Sequence, residues 1–479
     1  MKNNTKNNIQ VNSPSAGENN GVSGNTMRNS DGVIDMTQGS PVRLMLSFMI
    51  PMLIGNIFQQ LYNMVDSMIV GHFVGADALA AIGATGSINW MFFSLCNGLA
   101  NGVGIVISQY FGAGRDNDVK TAIGNAFYIV AAAALLMGGL GYALARPVLA
   151  LLGTPDNIID MSVQYMRICC LGVIAIALYN CIASILRGLG DSRTPLYFLI
   201  VASVLNVVLD LVFVCVFHWG VAGAGVATII SQLLSGVGSL TLSIRRNAYF
   251  HLTKESFRFN RNIIFQTVRI GVPMAAQSSL IAFSCVILQS VVNSFGSSVV
   301  AAFTATSRVE QLVQQPYMSL STAISTFTGQ NIGAGKKDRV RLGASRGLIM
   351  ILAFTCVMMP LIWIFSRPII GLFVTDKEVI RLGAHALHLT SPFYFPLSII
   401  YVYRGLLNGA GDAMFSFLNG VTECAGRIAF PKPLTMISQI GVWGIWLGTA
   451  LTWLLVAIVT FLRYRSGAWK KISLQGRSA

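Results

Sequence analysis

Charge is what this chain has least of. Only 11% of its 479 residues are Asp, Glu, Lys or Arg, where about 25% is usual in a soluble chain. Hydrophobic residues make up 54%, and the mean hydropathy is +0.64. A disordered protein, a coiled coil and most soluble enzymes are excluded, because each needs far more polar surface. Catalytic signatures are also missing. There is no HExxH pair, no CxxC pair and no Walker spacing GxxxxGK[ST], so neither a zinc hydrolase nor an ATPase is encoded in recognisable form. The eight cysteines (Cys96, Cys169, Cys170, Cys181, Cys215, Cys285, Cys356, Cys424) all fall in apolar runs without metal-ligand spacing. They read as packed, reduced thiols. No catalytic residue, cofactor or metal site is expected.

What is present is apolar sequence in long stretches. A spanning helix needs about 20 residues. Twelve candidates are counted, over 44–70, 80–108, 119–144, 162–186, 195–217, 221–244, 263–293, 300–329, 345–366, 383–406, 412–431 and 441–464. The runs are too long for barrel strands and lack their alternation. The fold class expected is an all-α integral membrane protein. Residues 1–40, rich in Asn, Ser and Gly, have no apolar h-region and read as a disordered tail; 466–479 reads as a second tail.

The net charge is +15, from 33 Lys and Arg against 18 Asp and Glu. Five of the 33 (Arg146, Arg367, Lys377, Arg381, Lys432) lie in loops on one side, and four (Arg167, Arg269, Arg308, Arg427) lie within helices. The other 24 lie in the tails and in loops on the N-terminal side. That asymmetry is the positive-inside pattern rather than a nucleic-acid surface, and it places both termini in the cytoplasm.

The chain also repeats itself at an offset of 221 residues. Gln109 and Gly112-Ala113-Gly114 match Gln330 and Gly333-Ala334-Gly335. Arg146-Pro147 matches Arg367-Pro368, Gly188-Leu189-Gly190-Asp191 matches Gly409-Ala410-Gly411-Asp412, and Gly220 and Thr228 match Gly441 and Thr449. Six helices repeated as six keep the same orientation, which gives a pseudo-two-fold along the membrane normal. The domains expected are an N-lobe over 41–244, a basic cytoplasmic linker over 245–262 and a C-lobe over 263–465.

Acidic residues inside spans are functional candidates, since a charge at the bilayer centre costs at least about 2.5–3.5 kcal/mol. There are four: Asp66, Asp210, Glu310 and Glu423. Asp66 lies 15 residues after Pro51, which can bend the first helix. Asn206 and Asp210 share one helix face at i and i+4; an amide and a carboxyl there can hold a proton or a small cation. Glu310 follows Arg308 closely and Glu423 precedes Arg427 by four, so intramembrane ion pairs are one reading of both. The sharper reading of Glu310 is a second coupling or substrate carboxylate. Gln59, Asn63, Met64 and further methionines on the first helix, with Gln277 on the seventh, are candidates to line a cleft, where methionine repacks easily around varied ligands.

Pro51, Asp66 within Val65-Asp66-Ser67-Met68-Ile69-Val70-Gly71, the two Gln-x-x-Gly-Ala-Gly loops, Arg187-Gly188-Leu189-Gly190-Asp191 and Asn206-x-x-x-Asp210 together resemble the multidrug and toxic compound extrusion (MATE) transporters. The resemblance is to the bacterial DinF-like side of that family and covers about residues 40–465. It implies twelve transmembrane helices in two pseudo-symmetric six-helix lobes, and export of small organic, often cationic, substrates across the cell membrane in exchange for H⁺ or Na⁺. It implies an essential carboxylate at Asp66 that serves both ion and substrate. It adds Tyr165, Asn180 and Thr228 to Asn206 and Asp210 as an ion-coupling network, and Pro51 as a conformational residue. The acidic cation ligands that some members carry in helices 7 and 10 have no counterpart here. A two-lobe chain can form a whole pathway as a monomer. Two rivals remain: a lipid-linked oligosaccharide flippase of related architecture, which needs a more cationic cleft, and a membrane scaffold without transport, which has no need of Asp66 and Asp210.

Overall fold

The computed structural model describes residues 32–471, and these form helices and turns only. Six helices make the first half: α1 (Pro41–Phe73), α2 (Ala76–Gly112), α3 (Asp116–Leu151), α4 (Asp156–Gly188), α5 (Arg193–Asp210) and α6 (Gly220–Arg246). The second half holds α7 (Arg261–Asn293), α8 (Ser297–Gly333), α9 (Lys337–Gly371), α10 (Lys377–Thr390 and Tyr394–Gly409, joined by the turn Ser391–Phe393), α11 (Ala413–Ala429) and α12 (Gly444–Arg465). All twelve expected spans are there. By length and hydropathy alone only nine of the described helices qualify. The three that fall short, α8, α10 and α11, carry Glu310, Arg404, Glu423 and Arg427, whose polar groups pair with one another or with hydroxyls inside the C-terminal half.

Within the first lobe α2 packs on α3 and α4, α4 on α6, and α5 on both α6 and α1. The second lobe repeats the plan, with α8 on α9 and α10, and α12 against both α10 and α11. The repeat extends to the backbone. Gly75, Gly114, Gly190 and Gly220 have φ of 116°, 70°, 88° and 58°, and their partners Gly296, Gly335, Gly411 and Gly441 have 89°, 74°, 79° and 51°. A left-handed residue is cheap only for glycine, so the same four turns recur because the same four glycines do.

The lobes meet through α2 against α7 and α8, and through α1 against α8. The α2–α7 crossing depends on small residues: a Cβ at Gly98 would lie 2.6 Å from the Gly271 carbonyl oxygen. Helix α1 belongs to both lobes. Met45 and Phe48 are fully buried in the core of the C-lobe, while Gly55 lets Leu196 and Leu199 of α5 press against the middle of α1. Pro51 stands between these two attachments.

Two expectations need correction, for the first tail and for Arg404, while the linker and the chain after α12 are both ordered. Residues 34–39, taken as part of a disordered tail, form a strap: Met36 is fully buried and its N–H donates to Gln330 Oε1 at 2.7 Å. Residues 1–31 and 472–479 lie outside the described residues. The linker is ordered as two short turns (Ala248–Phe250 and Lys254–Phe257) held on α3, where Asn125 donates to the Arg258 carbonyl at 3.0 Å. The chain after α12 continues into a turn in which Trp469 is buried and stacks on Tyr464. Arg404 is in α10 rather than in a loop.

Candidate functional site

Two carboxyl groups meet inside the N-lobe. Asp66 of α1 and Asp210 at the end of α5 lie within hydrogen-bonding reach of each other. Asp210 is fully buried. Immediately after it the helix widens into a π turn, Leu211–Val216. Such turns concentrate at functional sites because they re-aim side chains. Each of the two carboxyls keeps one buried oxygen, Oδ1, with no partner in the protein. Their remaining neighbours are polar but uncharged. With its amide nitrogen toward the acid, Asn206 donates to Asp210 Oδ2 at 3.2 Å, and its oxygen lies 3.3 Å from Thr228 Oγ1. Tyr165 on α4 and Tyr62 on α1 both lie close to Asp66. The hydroxyl of Tyr62 meets Gln59, and that of Tyr165 meets the thiol of Cys169 one turn on.

Five of the six expected coupling residues are thus brought together: Asp66, Asp210, Asn206, Thr228 and Tyr165. For Asn180 one side-chain hydrogen bond is present among the described residues, from its amide to the Ile176 carbonyl of its own helix at 3.0 Å. Tyr62 and Cys169 escaped the sequence reading. Their signal was positional, for Tyr62 precedes Asp66 by four residues and Cys169 follows Tyr165 by four, each pair on one helix face. Asn63 and Met64 are exposed on the C-terminal half of α1. Gln277 is buried between α7 and α11 and donates to Asn419 Oδ1 at 2.7 Å, so its amide is taken up inside the C-lobe.

The C-lobe has the opposite chemistry at the same register. Arg427 occupies the position equivalent to Asn206, 221 residues on. It donates to Glu423 Oε1 at 2.9 Å, and Arg404 donates to Glu423 Oε2 at 3.2 Å. The expected Glu423–Arg427 pair is therefore half of a triad. Glu310 does not pair with Arg308; it accepts from Thr390 Oγ1 at 2.9 Å.

Hydrogen bonds join the lobes at one end. Gln109 of α2 donates to the Gly409 carbonyl at 2.9 Å, and Gln330 of α8 donates to the Gly188 carbonyl at 3.2 Å. Asn56 to Ser319 (3.2 Å) and Ser94 to Ser279 (2.7 Å) continue the contact to mid-helix. Beyond them, toward the loops around Gly75 and Gly296, no hydrogen bond joins the lobes among the described residues. Just above the seal lies a cavity of about 120 Å³ between the lobes, lined by Ser108, Ser184 and Arg187 on one side and Ser325, Thr326 and Asn408 on the other.

Comparison with known proteins agrees with this architecture. A family model described as MatE matches residues 51–212 and 273–425. The chain is 32% identical over 446 residues to the "Probable multidrug resistance protein YpnP" of Bacillus subtilis, covering 92% of this chain and 98% of that protein. It is 25% identical over 429 residues to a Shewanella oneidensis protein named "FAD transporter", covering 88% and 93%. Among solved structures, one titled "Outward-facing conformation of a multidrug resistance MATE family transporter of the MOP superfamily" superposes with a TM-score of 0.84 at 24% identity, over 92% of this chain and 99% of that one. The protein is a multi-pass membrane protein of twelve helices in two lobes, and it belongs to the MATE family of multidrug efflux transporters, which are not enzymes.

Proposed function

We propose that the protein is a secondary antiporter that exports small organic compounds, often cationic, in exchange for H⁺, with Asp66 and Asp210 as the coupling site. The contact between these two carboxyls carries the reading. Like charges so close resist ionising together, so a proton or a cation between them relieves the repulsion. A cation and a proton then compete for one site, which is the requirement of an exchanger. The two orphaned oxygens of the pair are acceptors without a donor, which an incoming cation would satisfy.

Alternating access follows from the one-ended seal. With the basic loops in the cytoplasm of a bacterial cell, as the positive-inside pattern supports, the sealed end is the inner one. The described conformation then opens outward. A proton entering from outside neutralises the pair and loosens the hold of Asp66 on the N-lobe. Helix α1 transmits this, because its other end is anchored by Met45 and Phe48 in the C-lobe core, with Pro51 between. Substrate loses its counter-charge and leaves; rocking about α2 and α7 opens the inner side, where the proton departs. The exposed Asn63 and Met64 line the outer path. One chain forms the whole pathway, so a monomer suffices.

The test is ethidium uptake into proteoliposomes under an imposed H⁺ or Na⁺ gradient. Uptake driven by H⁺, and abolished in Asp66→Asn and Asp210→Asn, is expected. Uptake driven by Na⁺ alone would replace the proton with a cation at the same pair. Normal export by Asp66→Asn would overturn the scheme.

A further inference from the structure

Away from the coupling site, a second pocket of about 290 Å³ opens between the start of α5 and the end of α6, at the basic-loop end of the N-lobe. Its volume is several times the ~30 Å³ that one water occupies. Two arginines flank it, Arg193 and Arg246, both exposed and neither in a salt bridge among the described residues. One carboxylate, Asp191, shares the lining. Its Oδ1 is occupied in capping α5, where it accepts from the N–H groups of Arg193 (2.9 Å) and Thr194 (3.0 Å). Asn247 closes the back. It is 2% exposed, its oxygen accepts from Tyr249 N–H at 3.0 Å, and its Nδ2 is buried with no partner. A buried donor without an acceptor costs about 1–3 kcal/mol, so an occupant that supplies one is favoured.

The pocket is graded. One turn into the membrane from Arg193 stands Tyr197, and one turn in from Arg246 stands Leu242, both in the lining. A turn is about 5.4 Å. Cationic groups at the mouth and apolar ones a turn deeper match a phosphate ester joined to hydrocarbon, and basic pockets between helices at the cytoplasmic face suit anionic headgroups.

We propose that this pocket binds a phosphate ester anion, and that its occupant is the headgroup of an anionic phospholipid. The phosphate lies between Arg193 and Arg246, and the glycerol end runs past Tyr197 and Leu242 along the lipid-facing side. Bound there, the lipid clamps the start of α5 to the end of α6, the two helices that carry Asn206, Asp210 and Thr228. Only the assignment to the cytoplasmic leaflet rests on the orientation proposed above. The binding test is made in detergent and stands or falls independently of transport.

The experiment is native mass spectrometry of the full chain, titrated with phosphatidylglycerol, with phosphatidylcholine, and with inorganic phosphate as competitor. Saturable retention of one phosphatidylglycerol, not displaced by phosphate, is expected. An arginine beside an anionic headgroup is worth roughly fivefold in affinity. Arg193→Gln with Arg246→Gln should therefore weaken retention roughly 25-fold, with thermal unfolding of the lipid-free protein unchanged. Should the double variant not fold, Arg246→Gln alone should show the roughly fivefold loss. Equal retention by the variants, or equal retention of phosphatidylcholine, overturns the proposal. Displacement by phosphate assigns the pocket to a soluble phosphate ester and overturns the lipid. Retention that begins only after residues 1–31 are removed shows that the chain covers its own pocket, and overturns it too.

Discussion

Gln109 donates its side-chain amide to the carbonyl oxygen of Gly409 at 2.9 Å, across the boundary between the lobes. Its repeat partner Gln330 returns the gesture to Gly188 at 3.2 Å. Both glutamines are buried, at 2% and 0% exposure, and both acceptors terminate helices. The seal is thus built from one motif used twice. A single such bond is worth about 1 kcal/mol net. Gln109→Ala is predicted to shift the protein toward the inward-open form roughly fivefold. Electron–electron distances between spin labels at the exposed Asn117 and Lys337 measure this. An unchanged distance distribution would mean that packing alone holds the seal.

Glycine makes the same closure possible. A Cβ at Gly112 would run into the Gln330 carbonyl oxygen, and one at Gly333 into that of Gln109. Backbone on backbone leaves nothing flexible to move aside. Gly112→Ala is predicted to disfavour the sealed form by about 1–3 kcal/mol, more than Gln109→Ala does. The same pair of labels should report a longer inner distance. If the variant stays sealed, the two helices slide more freely than this geometry allows.

The sequence announced the helices, the repeat and the acid pair's members. It did so because spans are written in unbroken hydropathy and because a buried Asp stands out in them. It was mute on partners. Asp66 and Asp210 are 144 residues apart, and only the packing of α1 on α5 makes them one site. Gln109 and Gln330 were visible as repeat markers, yet they read as turn residues, since nothing local shows that each bonds to the opposite lobe. Arg404 looked like a loop cation because its positive charge matched the basic side. Its true partner, Glu423, reaches it from another helix. Asn180 shows the same limit: the residue type fits a coupling network, and the hydrogen bond its amide makes in the structure is to its own helix.

That contrast can be measured. Asn206→Ala removes the donor to Asp210 Oδ2 and leaves a second oxygen orphaned, at about 1–3 kcal/mol. H⁺-driven ethidium uptake is predicted to fall roughly tenfold or more. Asn180→Ala loses only a bond to the Ile176 carbonyl, and uptake should stay within about twofold. Equal loss in both variants would show that the network extends to Asn180 through water.

The C-lobe triad is predicted to matter for stability first. Glu423 answers two arginines, and the side chains of Arg404 and Arg427 are only 16% and 12% exposed. Removing the shared anion from buried cations costs about 3–5 kcal/mol. Glu423→Gln should lower the unfolding temperature in detergent markedly. Glu310→Gln, which alters a single hydrogen bond from Thr390, should lower it far less. Similar small shifts in both would mean that water reaches the arginines.

The strap over residues 34–39 ties the sealed end from below. Arg339 donates to the carbonyls of Met36 (3.2 Å), Gln38 (2.8 Å) and Gly39 (2.7 Å), and Lys336 donates to that of Thr37 at 3.0 Å. These residues belong to the C-lobe, while Ile34 N–H donates to the Leu189 carbonyl of the N-lobe at 3.2 Å. The strap therefore touches both lobes where they must part for the inner side to open. Arg339→Ala strips the Gln38 and Gly39 carbonyls of their donor, while the Met36 carbonyl keeps Asn331 Nδ2 at 3.2 Å and Met36 stays buried. Hydrogen exchange across residues 33–39 is predicted to speed roughly tenfold or more, with Gln109 and Gln330 still protecting the helix ends above. Loss of protection at both levels together would make the strap and the glutamine seal one cooperative unit. Unchanged exchange would assign the anchoring to the buried Met36 side chain, and the carbonyl bonds would then be consequences of the closed state rather than a cause of it.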